Sequence, residues 1–165
     1  MSVRLCCLLL VSAYASAAFA AHPGPVTVEF VDAEKFTDVK ERWLASSPEK
    51  NGHLAALRRH VETKAARYLA PGQSLRIEFT DIDLAGDLRP QLDPSLTDVR
   101  VVSSVYPPRM RLRYTLRDAG GQVLDSGEAR LSDIGFDTHS IGQASDPLRY
   151  EKRMLNQWLR EQFDR

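Results

Sequence analysis

Apolar and polar residues alternate at period two in several stretches of this chain and recur at helical spacing in others. Val26-Thr27-Val28-Glu29-Phe30 alternates cleanly and predicts a first strand. From Asp32 to Leu44 the spacing of Phe36, Val39, Trp43 and Leu44 predicts a short helix or turn that packs Trp43 inward. Ser47-Pro48-Glu49 reads as a helix opening, with an oxygen-bearing cap, proline in the first turn and acid at the positive end of the dipole. Asn51-Gly52 can delay that start by one turn. Leu54, Leu57, Val61, Ala65 and Tyr68 then hold an apolar stripe, which Pro71-Gly72 ends. Leu75 to Thr80 alternates again and is the second strand. A long Asp- and Pro-containing connection, Asp81 to Asp98, leads to a third strand near Val99 to Tyr106.

Residues 109 to 131 permit a sharper inference. Gly120-Gly121 can supply the positive φ angles of a two-residue type I′ loop, which pairs Ala119 with Gln122. That register sets Arg113 opposite Glu128 and Thr115 opposite Ser126 on one face. On the other, Met110 meets Leu131 and Leu112 meets Ala129. A slip of one residue would break both sets, so the polar and apolar patterns agree on one hairpin. Asp146-Pro147 opens a last helix in the same cap-then-proline manner. Its apolar arc is Leu148, Tyr150, Met154, Leu155, Trp158, Leu159 and Phe163, with Arg149, Arg153 and Arg160 opposite. The order β-α-β-β-β-α predicts an α+β fold: a mixed or mostly antiparallel sheet of about five strands with two main helices on one face.

The N-terminal stretch follows a different pattern. A cationic start at Met1 to Arg4, the apolar run Leu5 to Val11 and the small-residue tail Ala18-Phe19-Ala20 read as a cleavable secretory signal peptide over residues 1–20. Ser12, Tyr14 and Ser16 dilute the run before it reaches the roughly 20 residues of a spanning helix, which disfavours a membrane anchor. Residues 21–25 form a short leader and 26–165 one domain; no transmembrane segment is expected after signal removal. The only two cysteines, Cys6 and Cys7, fall in the discarded segment, so the mature domain is expected to be free of disulfides and thiol chemistry. With 22 basic and 22 acidic residues the net charge is zero, and overall charge argues for neither nucleic acid nor a membrane surface as partner.

Local charge is more informative. Alternation sends Thr27, Glu29, Arg76, Glu78, Thr80, Arg100, Arg109, Arg111, Arg113, Arg117, Glu128 and Arg130 away from the helices, so seven arginines meet three glutamates on the open sheet face. Guanidinium forks suit phosphate or carboxylate, on an anionic envelope component or another periplasmic protein. The connection after the second strand is acidic, with Asp81, Asp83, Asp87, Asp93 and Asp98 against Arg89. A calcium loop counted from Asp81 fails, because Ala85 holds the fifth position and Leu92 the twelfth. Turn and capping duty is the simpler assignment for these aspartates. Glu151 falls in the middle of the last helix's apolar arc, where a carboxylate needs a donor or a raised pKa; it reads as a buried pin holding the helix. His53 and His60 lie about 10 Å apart along one helix, too far to share a metal, and His22 and His139 stand apart in sequence. No G-x-S-x-G, phosphate loop or H-E-x-x-H occurs, so no cofactor, metal site or catalytic set is expected.

Several segments nonetheless form a recognisable set. Phe36-Thr37-Asp38, Thr80 to Gly86, Tyr106-Pro107-Pro108-Arg109, Tyr114 to Asp118 and Tyr150-Glu151-Lys152 with Trp158 resemble the secreted proteobacterial family termed domain of unknown function 3016. The resemblance spans nearly the whole mature chain. It implies an exported single-domain protein without an established activity, and it directs interest to Asp81, Asp83, Gly86, Arg109 and Glu151. The reading is therefore a periplasmic or secreted, non-enzymatic binding or envelope-associated module, using the arginine face or the acidic connection. The competing class is a periplasmic hydrolase working with Asp81 or Asp83 and Glu151. A third is a stress-related periplasmic protein whose contacts are mainly with itself.

Overall fold

The computed structural model describes residues 24–39, 51–88, 100–138 and 145–164. The signal-peptide segment, Trp43, the Ser47-Pro48-Glu49 opening, Asp93, Asp98 and His139 lie outside the described residues. In chain order the elements are β1 (Val26–Phe30), α1 (Gly52–Ala65), β2 (Ser74–Asp83), β3 (Asp87–Leu88), β4 (Arg100–Val101), β5 (Arg109–Arg117), β6 (Val123–Ser132) and α2 (Arg149–Phe163). The main sheet runs β1-β2-β5-β6; β3 and β4 form a separate two-stranded ladder. β1 and β2 are parallel, which the long connection through α1 allows, and the other pairs are antiparallel. The α+β architecture with a mixed sheet and two helices is thus the one the alternation predicts.

Alternation fixes the inner face. Val26, Val28, Leu75, Ile77, Phe79, Met110, Leu112 and Tyr114 are buried, and they share one cluster with Leu54, Leu57, Val61 and Ala65 of α1 and Met154, Leu155, Trp158 and Leu159 of α2. Each large apolar side chain among these stabilises the fold by about 1.5–3 kcal/mol through burial. Both helices therefore cover one face, joined to each other by His60 Nε2 at 2.9 Å from Asn156 Oδ1. The Trp158 ring meets Tyr114 and Phe163 at centroid distances of 5.9 and 5.7 Å.

Helix starts follow the caps. Asn51 Oδ1 accepts the His53 and Leu54 N–H groups, and its Nδ2 donates to the Val39 carbonyl, so α1 takes the delayed start. Asp146 accepts the Leu148 N–H at 3.0 Å and the Lys152 ammonium at 2.7 Å, and α2 begins two residues beyond Pro147. Ala33–Lys35 makes only a single 3-10 turn.

Three expectations are corrected. Val99 lies outside the described residues, and the described part of that stretch, residues 100–106, does not add a strand to the main sheet: within it only Arg100–Val101 is extended, paired with Asp87–Leu88, and the Tyr106 N–H turns back onto Ser103. Its apolar residues come as doublets, Val101-Val102 and Val105-Tyr106, which is not the period of a half-buried strand. The hairpin reaches its expected register by another route. Asp118 accepts the Gly120 and Gln122 N–H groups at 2.9 Å each, which closes a three-residue loop in which only Gly121 has positive φ. An irregularity opposite Arg117 then restores Thr115 to Ser126 and Arg113 to Glu128. Arg100, finally, belongs to β4 and not to the open sheet face.

Candidate functional site

The face of the sheet away from the helices has rows dictated by register. One row is Thr27, Arg76, Thr115 and Ser126; the next is Glu29, Glu78, Arg113 and Glu128. A bulge at Thr80 shifts the register over the rest of β2. Phe79 pairs with Leu112, but Asp81 pairs with Arg111, Ile82 with Met110 and Asp83 with Arg109. The extra residue returns Ile82 to the core and turns Asp81 and Asp83 onto the open face. The open face accordingly carries Arg76, Arg109, Arg111, Arg113, Arg117 and Arg130 with Glu29, Glu78, Asp81, Asp83 and Glu128.

These charges are not mixed evenly. On β1 and β2, Arg76 is surrounded by carboxylates, 2.6 Å from Glu29 and 3.5 Å from Glu78. On β5 and β6, five arginines accompany Glu128 alone. Arg111 and Arg130 lie directly opposite each other, an unfavourable placement for like charges in a free sheet. Arg111, Arg113 and Arg130 are exposed, and no ion pair within 4 Å engages them among the described residues. Arg117 bends back to donate to the Gly121 carbonyl at 2.9 Å.

At the far end of β2 a second constellation forms. Asp81 accepts from the Thr37 N–H at 2.9 Å and from its hydroxyl at 3.0 Å. The Asp38 N–H donates to the Ile82 carbonyl, which carries the Asp38 carboxylate to the Arg100 guanidinium; that guanidinium also donates to the Gly86 carbonyl at 3.1 Å. Asp83 stands 4.0 Å from Arg109. Burial, reinforced by Asp38 and Asp81, raises the Asp83 pKa against the pull of Arg109 and Arg100. Gly86 sits at φ +84 with its N–H donating to the Tyr106 carbonyl, and a Cβ there would lie 2.6 Å from the Val101 carbonyl oxygen. The turn therefore demands glycine twice, for its backbone angle and for the close approach of β4.

Glu151 lies beneath this end of the sheet and is 1% exposed. Its Oε1 accepts the Ala85 N–H at 2.7 Å, and its Oε2 has no hydrogen-bond partner among the described residues. Burial raises its pKa, against the Ala85 and Glu151 N–H groups and the more distant Arg100 and Arg149. The carboxyl thus ties α2 to the turn after β2.

Asp81, Asp83, Arg109 and Arg100 are gathered at one end of the molecule, and Glu151 reaches the same turn through Ala85. Asp87 pairs in β3. No pattern of their own marks Thr37 and Asp38 as site residues; the signals for them are their position just after the first strand and their place in the family-like segment Phe36-Thr37-Asp38. No group of three or more His, Cys, Asp or Glu side chains able to hold a metal ion occurs among the described residues. No helix there is long and apolar enough to cross a membrane.

Fold and surface together define an α+β domain with a helix-covered inner face and a charged open face. Residues 24–161 match the family described as "Protein of unknown function (DUF3016)", and the chain belongs to that family. No curated protein and no solved structure matches it.

Proposed function

We propose that this chain is an exported periplasmic protein and a non-enzymatic binding module, whose contact surface is the β5–β6 half of the open sheet face. The observation that carries this reading is the exposed trio Arg111, Arg113 and Arg130, with Arg111 set directly opposite Arg130. Like charges held adjacent on a flat, open surface are relieved by an anionic ligand, and guanidinium forks match phosphate oxygens. A phosphate-bearing envelope surface supplies such a ligand at high density.

The carboxylates of the hydrolase reading are engaged otherwise. Asp81 is held by Thr37, Asp83 faces Arg109, and Glu151 accepts a backbone N–H from a buried position. Arg109 and the acidic end of β2 border the arginine-rich half and shape its edge.

The test is co-sedimentation with vesicles containing an anionic phospholipid, against neutral vesicles, across a salt series. The native chain is expected to bind anionic vesicles at low salt and to release as screening grows. Arg111→Glu with Arg113→Glu should weaken binding by about 30-fold or more, from roughly 1 kcal/mol per charge at an anionic surface. Unchanged binding by the double variant at low salt would remove the proposal.

A further inference from the structure

β6 bounds one side of the main sheet among the described residues, and its sequence is complementary to itself. The Asp133 N–H donates to the Pro108 carbonyl on the β5 side. Backbone groups alternate along a strand, so Gly127, Ala129 and Leu131 bond β5, whereas Ser126, Glu128, Arg130 and Ser132 direct their N–H and C=O groups to the outer edge. An antiparallel partner must use that even-numbered set.

We propose that β6 pairs with β6 of a second copy of this chain about a two-fold axis through Ala129, making one continuous eight-stranded sheet. In this register Glu128 of each copy lies opposite Arg130 of the other, and Ser126 opposite Ser132. Both pairs use the outward backbone groups, as the ladder requires. The same register brings Leu124, 49% exposed, toward the turn that carries Ile134, 79% exposed, just beyond each end of the ladder. On the helix side Leu131 lies opposite Gly127, over which Tyr114 of the same chain packs. Asp125 and Asp133, which then face each other, are already engaged, with Gln162 at 3.1 Å and Arg153 at 3.2 Å respectively.

Neighbouring registers of the same parity lose these matches. An axis through Glu128 sets Glu128 against its own copy and Ser126 against Arg130. An axis through Arg130 sets Arg130 against its own copy and Glu128 against Ser132. The complementarity therefore selects one occupant and one register. A charged edge commonly serves to repel foreign strands; here adjacent open-face positions of opposite sign make the edge attractive to its own copy. The pairing also joins the two arginine-rich halves across the axis, although it stands on the edge geometry alone and not on the binding proposal.

The experiment combines sedimentation equilibrium of the full chain over a concentration series with amide hydrogen exchange. Mass should double with concentration while the N–H groups of Ser126, Glu128, Arg130 and Ser132 become protected together. Glu128→Arg should raise the dissociation constant about tenfold or more, because each Glu–Arg pair becomes Arg–Arg. The exchange Glu128→Arg with Arg130→Glu should restore it, since the two-fold axis rebuilds both pairs. A chain that stays single at millimolar concentration overturns the proposal, as does a doubled mass with those four amides still exchanging freely. A single chain whose edge amides are protected only by an added extended peptide would assign the edge to a foreign strand and also overturn it. Should Glu128→Arg fail to fold, the exchange pattern of the native chain decides alone.

Discussion

Glu151 provides a direct test of how the last helix is held. The Ala85 N–H it accepts belongs to a residue that is itself buried, so the two groups satisfy each other where water has no access. Glu151→Leu keeps the volume but leaves that N–H without an acceptor, which costs about 1–3 kcal/mol. Glu151→Gln retains a carbonyl oxygen at the accepting position and removes only the ability to ionise. The folded-state pKa of Glu151 is raised above its ordinary value of 4.5 by burial, so folding favours the protonated form. The native state then binds more protons than the unfolded state, and stability is greatest below the unfolded pKa. It falls as pH rises from about 4.5 through the folded value, and is level above it. Within that window the native chain should lose up to about 1.4 kcal/mol per pH unit relative to the Gln variant. Asp83, also raised by burial, acts with the same sign. Asp146 acts with the opposite one: burial pushes it up, but Lys152 and the Leu148 N–H outweigh this and lower its pKa. Both cancel when native and variant chains are compared at each pH. Urea unfolding of native, Gln and Leu chains between pH 4 and pH 8 measures the difference. A native-minus-Gln difference that is flat with pH, or that grows in favour of the native chain as pH rises, would refute the argument.

Other perturbations address the turn beside it. Arg100→Met removes the half-buried pair with Asp38 and the bond to the Gly86 carbonyl, and should destabilise by about 1–2 kcal/mol. A double-mutant cycle with Asp38→Asn in urea unfolding should show coupling, and additive effects would contradict the pairing. Gly86→Ala combines a positive φ with a Cβ only 2.6 Å from the Val101 carbonyl, and should cost about 2 kcal/mol or more in thermal unfolding. Gly121→Ala meets nothing within 4 Å and should cost only about 1 kcal/mol for its φ of 84°, whereas Gly120→Ala, without positive φ but with a Cβ 3.3 Å from Asp118 Oδ1, should cost less than that.

Local pattern made the main sheet's strands and the helix faces legible. The hairpin register followed from two independent alternations, and the loop's departure from a two-residue turn did not disturb it. The Asp118 carboxylate organises a longer loop, and the irregularity opposite Arg117 compensates for it. The buried position of Glu151 followed from helical spacing alone. Its partner did not, because Ala85 lies 66 residues away and offers only a backbone N–H. The displaced third strand failed for a similar reason. Arg100 and Val101 are fixed by Asp38, Gly86 and Asp87–Leu88, contacts that no period in their own segment encodes.

The candidate site turns on one residue that alternation cannot announce. Continued at period two from Phe79, the strand would send Asp81 and Asp83 into the core and Ile82 to the open face. Two unpaired carboxylates placed there would each cost several kcal/mol, more than the hydrogen bonds of a regular ladder return. Inserting Thr80 as a bulge reverses the three positions at the expense of one ladder irregularity. Asp81 can then reach Thr37, Asp83 can face Arg109, and the chain after Asp83 is delivered to Gly86, Arg100 and Glu151. Most of the segments that carry the family resemblance meet for this reason, whereas Tyr114 to Asp118 runs to the hairpin loop at the other end of the sheet. Phe36-Thr37-Asp38, Thr80 to Gly86, Tyr106 to Arg109 and Glu151 are distant in sequence and surround a single bulged strand end. The acidic end and the arginine-rich half are thus products of the same register. The bulge supplies the carboxylates that border the surface, and the regular hairpin beyond it supplies the arginines.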